Sequence, residues 1–354
     1  MEQLSNSPMF FIEAGIGENK ISYLKSTLNW EHGWEIYLVT GSVMPLISRF
    51  LKSLAISLKE KGYDITLIPC ASNAGFLDGI ILEDKGVVFW GGDKSANCSA
   101  HPIVCEKTID LSTIHKSHML VKHRPEIMNA MSASNALKTR ADAFIKTAAT
   151  FLVENMEMAR ECIDTKRIQR LVNKFFCDAE QGCGYCEINR FLSAVCAEGI
   201  VYHSATPMKM CDKVYIISDE CGAVSTAAME SVRALAAQKG HKVIVCHCPV
   251  MGSEKIDHII LPDLKLAFVT VNKYLHRCEG ARALHARRFT DSEKLRGHKE
   301  RLDFNRRTAK ALLGYATVNL AQAEEAAMSG YNYYLKSIIA EKTDDIVNKI
   351  IAPF

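Results

Sequence analysis

The feature that most constrains this chain is that it matches itself. The segment EIYLVTGSVMPLISRFLKSLAISLKEKGYDITLIPCAS, from Glu35, aligns with KVYIISDECGAVSTAAMESVRALAAQKGHKVIVCHCPV, from Lys213. At an offset of 178, Tyr37 meets Tyr215, Gly62 meets Gly240 and Cys70 meets Cys248. The match continues at 179, where LDGIILED from Leu77 meets IDHIILPD from Ile256, setting Asp78 against Asp257. Near 180, FFIEAGIGEN from Phe10 meets RFLSAVCAEG from Arg190. Two copies of that length fill the chain's 354 residues, and each is long enough to bury its own core.

Each copy reads the same way. A short apolar strand (Ile36–Val39, Val214–Ile217) leads into a polar turn and an amphipathic helix (Pro45–Lys61, Val224–Lys239) closed by Lys-Gly. A second strand follows (Asp64–Pro69, Lys242–Cys248), then a third (Gly86–Trp90, Leu266–Val271). Strand–helix–strand at this spacing predicts a right-handed parallel crossover. Both copies then change to a long helical pattern, Ile127–Phe175 and Asp291–Ile351. The join, CDAEQGCGY from Cys177 to Tyr185, is small, polar and glycine-containing, as a linker is.

The order of strand, loop, helix, Lys-Gly-Tyr/His, strand, Pro/His-Cys and the LDG-II motif, twice in one chain, resembles the tandem P-loop ATPase-like (nucleotide kinase-like) family of spore-forming Firmicutes. The resemblance implies an α/β fold: two tandem P-loop NTPase-like three-layer units with parallel sheets, each followed by a long helical segment. The units are residues 1–176 and 188–354, with a cysteine-containing linker at 177–187. It also implies two loops of the form GxPGTGKST that hold ATP and Mg²⁺. The loop backbone cradles phosphate, its lysine reaches the β/γ-phosphates and its hydroxyl holds the metal.

Both loops depart from that form. In the second copy, Ser218 to Thr226 reads SDECGAVST: Gly222, Ser225 and Thr226 remain, but Val224 stands in the lysine position. Asp219 and Glu220 add negative charge where phosphate would sit. In the first copy, Thr40 to Ser48 reads TGSVMPLIS: Gly41, Ser42 and Ser48 remain, with Leu46 for the lysine and Ile47 for the first hydroxyl. The strand-end acid that would hold the metal is also missing, because the matching positions are Gly91 and Thr270; Asp93 is the nearest substitute. Without lysine and acid, phosphoryl transfer loses its main charge stabilisation. Binding of a nucleotide or other anion stays open at the second loop, where helix dipole and backbone N–H groups survive side-chain changes.

Other residues offer separate chemistry. Asp78 and Asp257 read either as acids near a nucleotide or as turn caps, and Asp84 and Asp263 as turn residues. Cys177, Cys183 and Cys186, with Cys196 beyond, are candidate thiolate ligands for zinc or an iron–sulfur cluster, against free linker thiols. Cys246-His247-Cys248 alternates across a strand, so its ligands do not converge. From Arg277 to Lys310, eleven Lys/Arg face five Asp/Glu, which could bring Arg287, Arg288 or Arg306 toward an anion. Aromatics are sparse there, so nucleic acid is not expected. His115, His118 and His123 fall in the matching region of the first copy, and no Ser/His/Asp pattern is legible.

Composition narrows the setting. The chain is 48% hydrophobic and 23% charged, with net charge +3, ordinary for a soluble globular protein. No run of about 18 apolar residues predicts a membrane span. The start MEQLSNSPMFF does not read as a signal peptide. Thirteen cysteines, several inside apolar runs, suit a reducing cytoplasm. The expectation is a degenerate P-loop protein that binds a nucleotide or other phosphate ligand, or acts as a scaffold with a protein partner or second copy. The alternatives are a weakly active nucleotide-dependent enzyme using Ser225 and Thr226, and a metal- or redox-responsive protein using the junction cysteines.

Overall fold

The structure is a computed structural model that describes residues 4–15, 20–28, 33–92, 104–273, 282–352 and 354. Asp93 and residues 277–281 of the basic stretch lie outside the described residues. The first half contains β1 (Glu13–Ala14), β2 (Ile21–Ser22), α1 (Leu24–Thr27), β3 (Glu35–Thr40), α2 (Met44–Glu60), β4 (Thr66–Pro69), β5 (Leu77–Leu82), β6 (Val87–Trp90) and β7 (Glu106–Asp110). The helices α3 (Ser117–Lys122), α4 (Arg124–Arg160) and α5 (Thr165–Phe175) follow. The second half repeats the series: β8 (Cys186–Arg190), β9 (Ser193–Cys196), β10 (Gly199–Tyr202), α6 (Ala205–Met210), β11 (Lys213–Ser218), α7 (Ala223–Lys239), β12 (Lys242–Cys248), β13 (Gly252–Leu261), β14 (Leu266–Val271) and β15 (Arg282–His285). It closes with α8 (Ser292–Gly297), α9 (Lys299–Lys336) and α10 (Ala340–Ile351). No described helix is long and apolar enough to cross a membrane.

The two sheets share one strand order. The first runs β4-β5-β6-β3-β7, and the second β12-β13-β14-β11-β15 with β8 added beside β12. Their registers agree residue for residue. Ile36 pairs with Val88 as Val214 pairs with Ala267, and Thr66 pairs with Ile81 as Ile244 pairs with Ile260. Both carry an irregularity at the same place, Ile68/Pro69 and Cys246/His247. The N-terminal segment matches too: Met9 bridges Leu67 in parallel, as β8 lies parallel to β12. The alignment at 178–180 is therefore a structural correspondence.

The sheets are mixed rather than parallel. β5 runs antiparallel to β4 and β6, and β13 does so to β12 and β14. The cause lies in the connections. Residues 70–76 and 83–86 are too short to hold the crossover helix that parallel neighbours need, so adjacent strands must reverse. The crossover from β3 through α2 does return a strand of the same direction, but β5 and β6 stand between β3 and β4.

α2 forms because Leu46, Ile47, Phe50, Leu51, Leu54 and Leu58 recur three and four apart and bury against the sheet, with Pro45 in the first turn. Each fully buried Leu or Phe contributes roughly 1.5–3 kcal/mol. α7 buries a slimmer face, Val224, Ala228, Met229, Val232 and Ala236, and ends at Gly240 with φ +70°.

The compact units do not coincide with the repeats. Unit 1 is Met1–Ala141, Cys196–Glu198 and Thr317–Phe354, and unit 2 is Asp142–Val195 and Gly199–Ala316. α5, at the end of the first repeat, sets Ile168, Val172 and Phe176 into the core of unit 2 beside Met229 and Val232. α10, at the end of the second, sets Val347 and Ile351 into the core of unit 1 beside Leu54 and Leu58. Backbone bridges repeat the exchange: Ile163 with Thr290 in unit 2, and His115 with Ile338 in unit 1. The helical pattern 127–175 is broken at Asp164, whose carboxylate caps α5 by accepting the Arg167 N–H at 2.9 Å.

Candidate functional site

The turn between β11 and α7 is built around its own acid. Asp219 is buried, and its carboxylate accepts the N–H of Cys221 at 3.1 Å, the N–H of Ser225 at 2.8 Å and the Ser225 hydroxyl at 3.1 Å. These are the donors at a helix N-terminus that would otherwise face a bound anion. Gly222, at φ +86°, makes the turn possible. Ser225 is 0% and Thr226 1% exposed, and Thr226 Oγ1 points to Met156 Sδ at 3.6 Å. Gly222, Ser225 and Thr226 thus come together, but their polar groups are spent inside the protein.

A lysine does reach this turn, from β13. A Cβ added at Gly222 would lie 2.8 Å from Lys255 Cε. Lys255 Nζ pairs with Asp257 Oδ1 at 2.7 Å, with both side chains nearly fully buried. Burial opposes the lysine's charge, yet Asp257, Cys248 and Asp219 outweigh it and raise its pKa. Burial likewise pushes Asp257 up, and Lys255 reverses that to a net lowering. The pair lines a small pocket of about 60 Å³ with Ser193, Asn155, Cys248 and Arg306.

Beyond the turn lies a wider cleft of about 740 Å³. Its floor is Ser218–Cys221 and its far wall is α8 and the start of α9. His285, Arg287, Arg296, Lys299 and Arg306 all line it; the first four are exposed and Arg306 is half-buried. Arg306 donates to Asp303 at 3.1 Å, while its buried Nε meets no partner among the described residues. Of the three arginines singled out in the basic stretch, Arg287 and Arg306 face this cleft. Arg288 lines a different hollow with Asp164 and Asp291.

In unit 1 the matching turn is arranged otherwise. Gly41, at φ +80°, lets Asp110 and Ser112 approach so closely that a Cβ would sit 2.1 Å from Asp110 Oδ1. Ser42 bonds to His115, and the Ser48 hydroxyl accepts the Leu77 N–H at 2.8 Å in a buried setting. Asp78 is 4% exposed and lines a pocket of about 410 Å³ with Cys70, Glu13, Lys20, Lys138 and Glu324. Asp78 and Asp257 thus occupy equivalent pockets, beside the equivalent cysteines. At Gly91 a Cβ would lie 2.1 Å from Ile47 Cγ2, so that strand end has no room for a metal-holding acid. Thr270, its counterpart, is fully buried.

The remaining candidates separate. Cys177, Cys183 and Cys186 are exposed free thiols, and Cys196 is buried in unit 1, donating to Ala71 O. Among the described residues no group of three or more His, Cys, Asp or Glu could hold a metal. His247 Nε2 bonds to Asn189 at 2.7 Å, while burial pushes the Cys248 thiol up to about 12 and that of Cys246 higher still. Burial and Asp78 push Cys70 up to about 12 as well, so these thiols are poor nucleophiles and ligands. Asp263 accepts the Lys242 N–H at 2.9 Å, a turn role, and Asp84 lies in a short 3₁₀ turn. His118 is exposed, and His123 stacks on Tyr333 at 4.5 Å.

Lys255 was legible in principle. In Lys255-Ile256-Asp257 the two charges fall on one face of a strand by alternation. No protein family matches the chain, and no curated protein or solved structure matches it.

Proposed function

We propose that unit 2 binds a small phosphate-bearing anion, a nucleotide among the candidates, in the cleft beside the β11–α7 turn, without catalysing phosphoryl transfer. The observation that carries this reading is the convergence of Arg287, Arg296, Lys299 and Arg306 on one cleft at the C-terminal ends of β11 and β15. That end of a parallel strand set is where ligands of α/β sheets gather. The anion's place is in the outer cleft, because Asp219 already takes the donors of the turn. A loop lysine and a strand-end acid, which transfer chemistry would use, are not there to serve it.

Titration calorimetry of the full chain with ATP, ADP and inorganic phosphate, with and without Mg²⁺, tests this. Binding is expected without a Mg²⁺ requirement, weakening as salt rises. Arg306→Ala is expected to weaken it roughly tenfold, the worth of one charge-assisted hydrogen bond. Absence of binding by all three ligands sinks the reading, and Mg²⁺-dependent turnover replaces it with the enzymatic one.

A further inference from the structure

In unit 1 the turn after β3 carries a polar relay. Ser42 Oγ lies 2.8 Å from His115 Nε2, and His115 Nδ1 lies 2.8 Å from Ser337 Oγ. Ser337 Oγ donates to the Tyr334 carbonyl at 2.8 Å. A carbonyl only accepts, so the single Ser337 proton is committed there. Ser337 must then accept from His115, which places the imidazole proton on Nδ1. Nε2 is left as a lone pair facing the Ser42 hydroxyl. His115 is 8% exposed, and burial lowers its pKa below the usual 6.5, so it is neutral at pH 7. The edge of the Tyr334 ring, 5.5 Å away and near perpendicular, fixes the imidazole plane.

The surroundings agree with a reactive serine. Ser42 is half-buried on a strand-to-helix turn, one residue before the N-cap Val43. The first N–H groups of a helix have no intrahelical acceptor. Leu46 and Ile47 bond back to Val43 O and Pro45 has no N–H, so Val43 and Met44 are the N–H groups of this turn left to meet an oxyanion. The walls also differ from those of unit 2. The β3–β7 and β11–β15 registers set Lys107 against Arg282, an offset of 175. Arg296 and Arg306 then correspond to Val121 and Met131, and Asp303 to Met128. Val121 is 71% and Met128 59% exposed, while Arg124 stands at the Lys299 position, so the counterpart of the cationic cleft carries fewer charges and more apolar surface.

We propose that unit 1 is a serine acyl-transfer site for esters with an apolar acyl group, with Ser42 as nucleophile, His115 as base and Ser337 as positioning residue. Ser42 Oγ bonds to the acyl carbon as its proton passes to His115 Nε2. The bond from that carbon to the alcohol oxygen breaks, and the leaving oxygen takes the proton from His115. Water, giving a proton to His115 Nε2, then attacks the acyl carbon; the bond from that carbon to Ser42 Oγ breaks, the proton passes from His115 to Oγ, and the carboxylic acid leaves.

The full chain is treated with a fluorophosphonate probe and, separately, with p-nitrophenyl butyrate. A single adduct on Ser42, found by peptide mass mapping, is expected. Ser42→Ala, with an unchanged melting temperature, loses the adduct and at least 100-fold of nitrophenol release. Ser337→Ala slows both about tenfold through loss of the fixed tautomer, and the wild-type rate falls as His115 is protonated below pH 6.5. Ser42→Cys is expected to react with iodoacetamide faster than the exposed Cys177. Wild-type protein without a Ser42 adduct, or Ser42→Ala hydrolysing as fast as wild type, overturns the proposal; so does Ser42→Cys reacting no faster than Cys177.

Discussion

At the start of α7, Asp219 turns its carboxylate back onto the helix and takes the N–H groups of Cys221 and Ser225. At the start of α2 the same helix begins at Val43, with no side-chain cap, and its neighbouring serine bonds to a buried histidine. Strand order, register and the irregularity beside each pocket are shared. What differs is who supplies charge near the turn. Unit 2 closes it with its own acid and brings Lys255 across from β13. Unit 1 leaves the helix end uncapped and draws Asp110 from the next strand against Gly41. One backbone thus carries two arrangements of polar groups at the turn, since the frame is set by apolar packing and the turn by a few polar residues.

The comparison breaks most visibly at the buried ion pair. Asp257→Ala should strand Lys255 and cost about 3–5 kcal/mol in denaturant unfolding. Asp257 has a folded pKa below its unfolded value of about 3.9, so its contribution is present above that pH and lost as pH falls through the folded value. Lys255, raised, contributes below its unfolded pKa of about 10.4 and loses that as pH rises through its folded value. Wild-type stability from the pair should therefore hold between those limits, whereas the variant, whose buried lysine has lost its main partner, should lose stability as pH falls below about 10.4.

The exchanged helices are next. Ile351→Ala removes a side chain 7% exposed from the core of unit 1 and should cost about 2–4 kcal/mol, as should Ile168→Ala in unit 2. Hydrogen exchange should show protection lost around α2 in the first and around α7 in the second; the reverse would mean the helices pack on their own repeats. Asp219→Ala should cost about 1–2 kcal/mol by uncapping α7, with no equivalent residue to remove at Val43. It should also tighten phosphate binding by freeing the turn; a loss of affinity would mean Asp219 orders the cleft. The smallest effect is expected at the β13–β14 turn. Lys265 holds φ +49° where the first repeat has Gly86 at φ +62°. Lys265→Gly should raise stability by at most about 1 kcal/mol in thermal melts, the left-handed cost offset in part by unfolded-state entropy.

The repeat was legible because apolar class and glycine position survive where identity does not. Gly62 and Gly240 both end their helices with positive φ. The strands β5 and β13 hid in the Ile-Ile-Leu runs, whose residues in β5 are all buried. Without alternation such a run does not announce which neighbour it reverses against. The fate of Asp219 was hidden as well: the sequence shows a charge where an anion site was expected, and only geometry turns that charge into the helix's own cap. Ser42, His115 and Ser337 lie 73 and 222 residues apart. No local pattern links them. Nor can a duplicated sequence reveal that each helical tail serves the other copy's sheet, since either packing satisfies the same apolar spacing.

That exchange has a consequence for synthesis. Every residue of unit 2 has been added once Ala316 is joined, whereas unit 1 draws on Thr317–Phe354. On the ribosome the earlier-made sheet must therefore wait, its core around α2 incomplete without Val347 and Ile351, until α10 arrives. The half of the protein begun first is the half finished last.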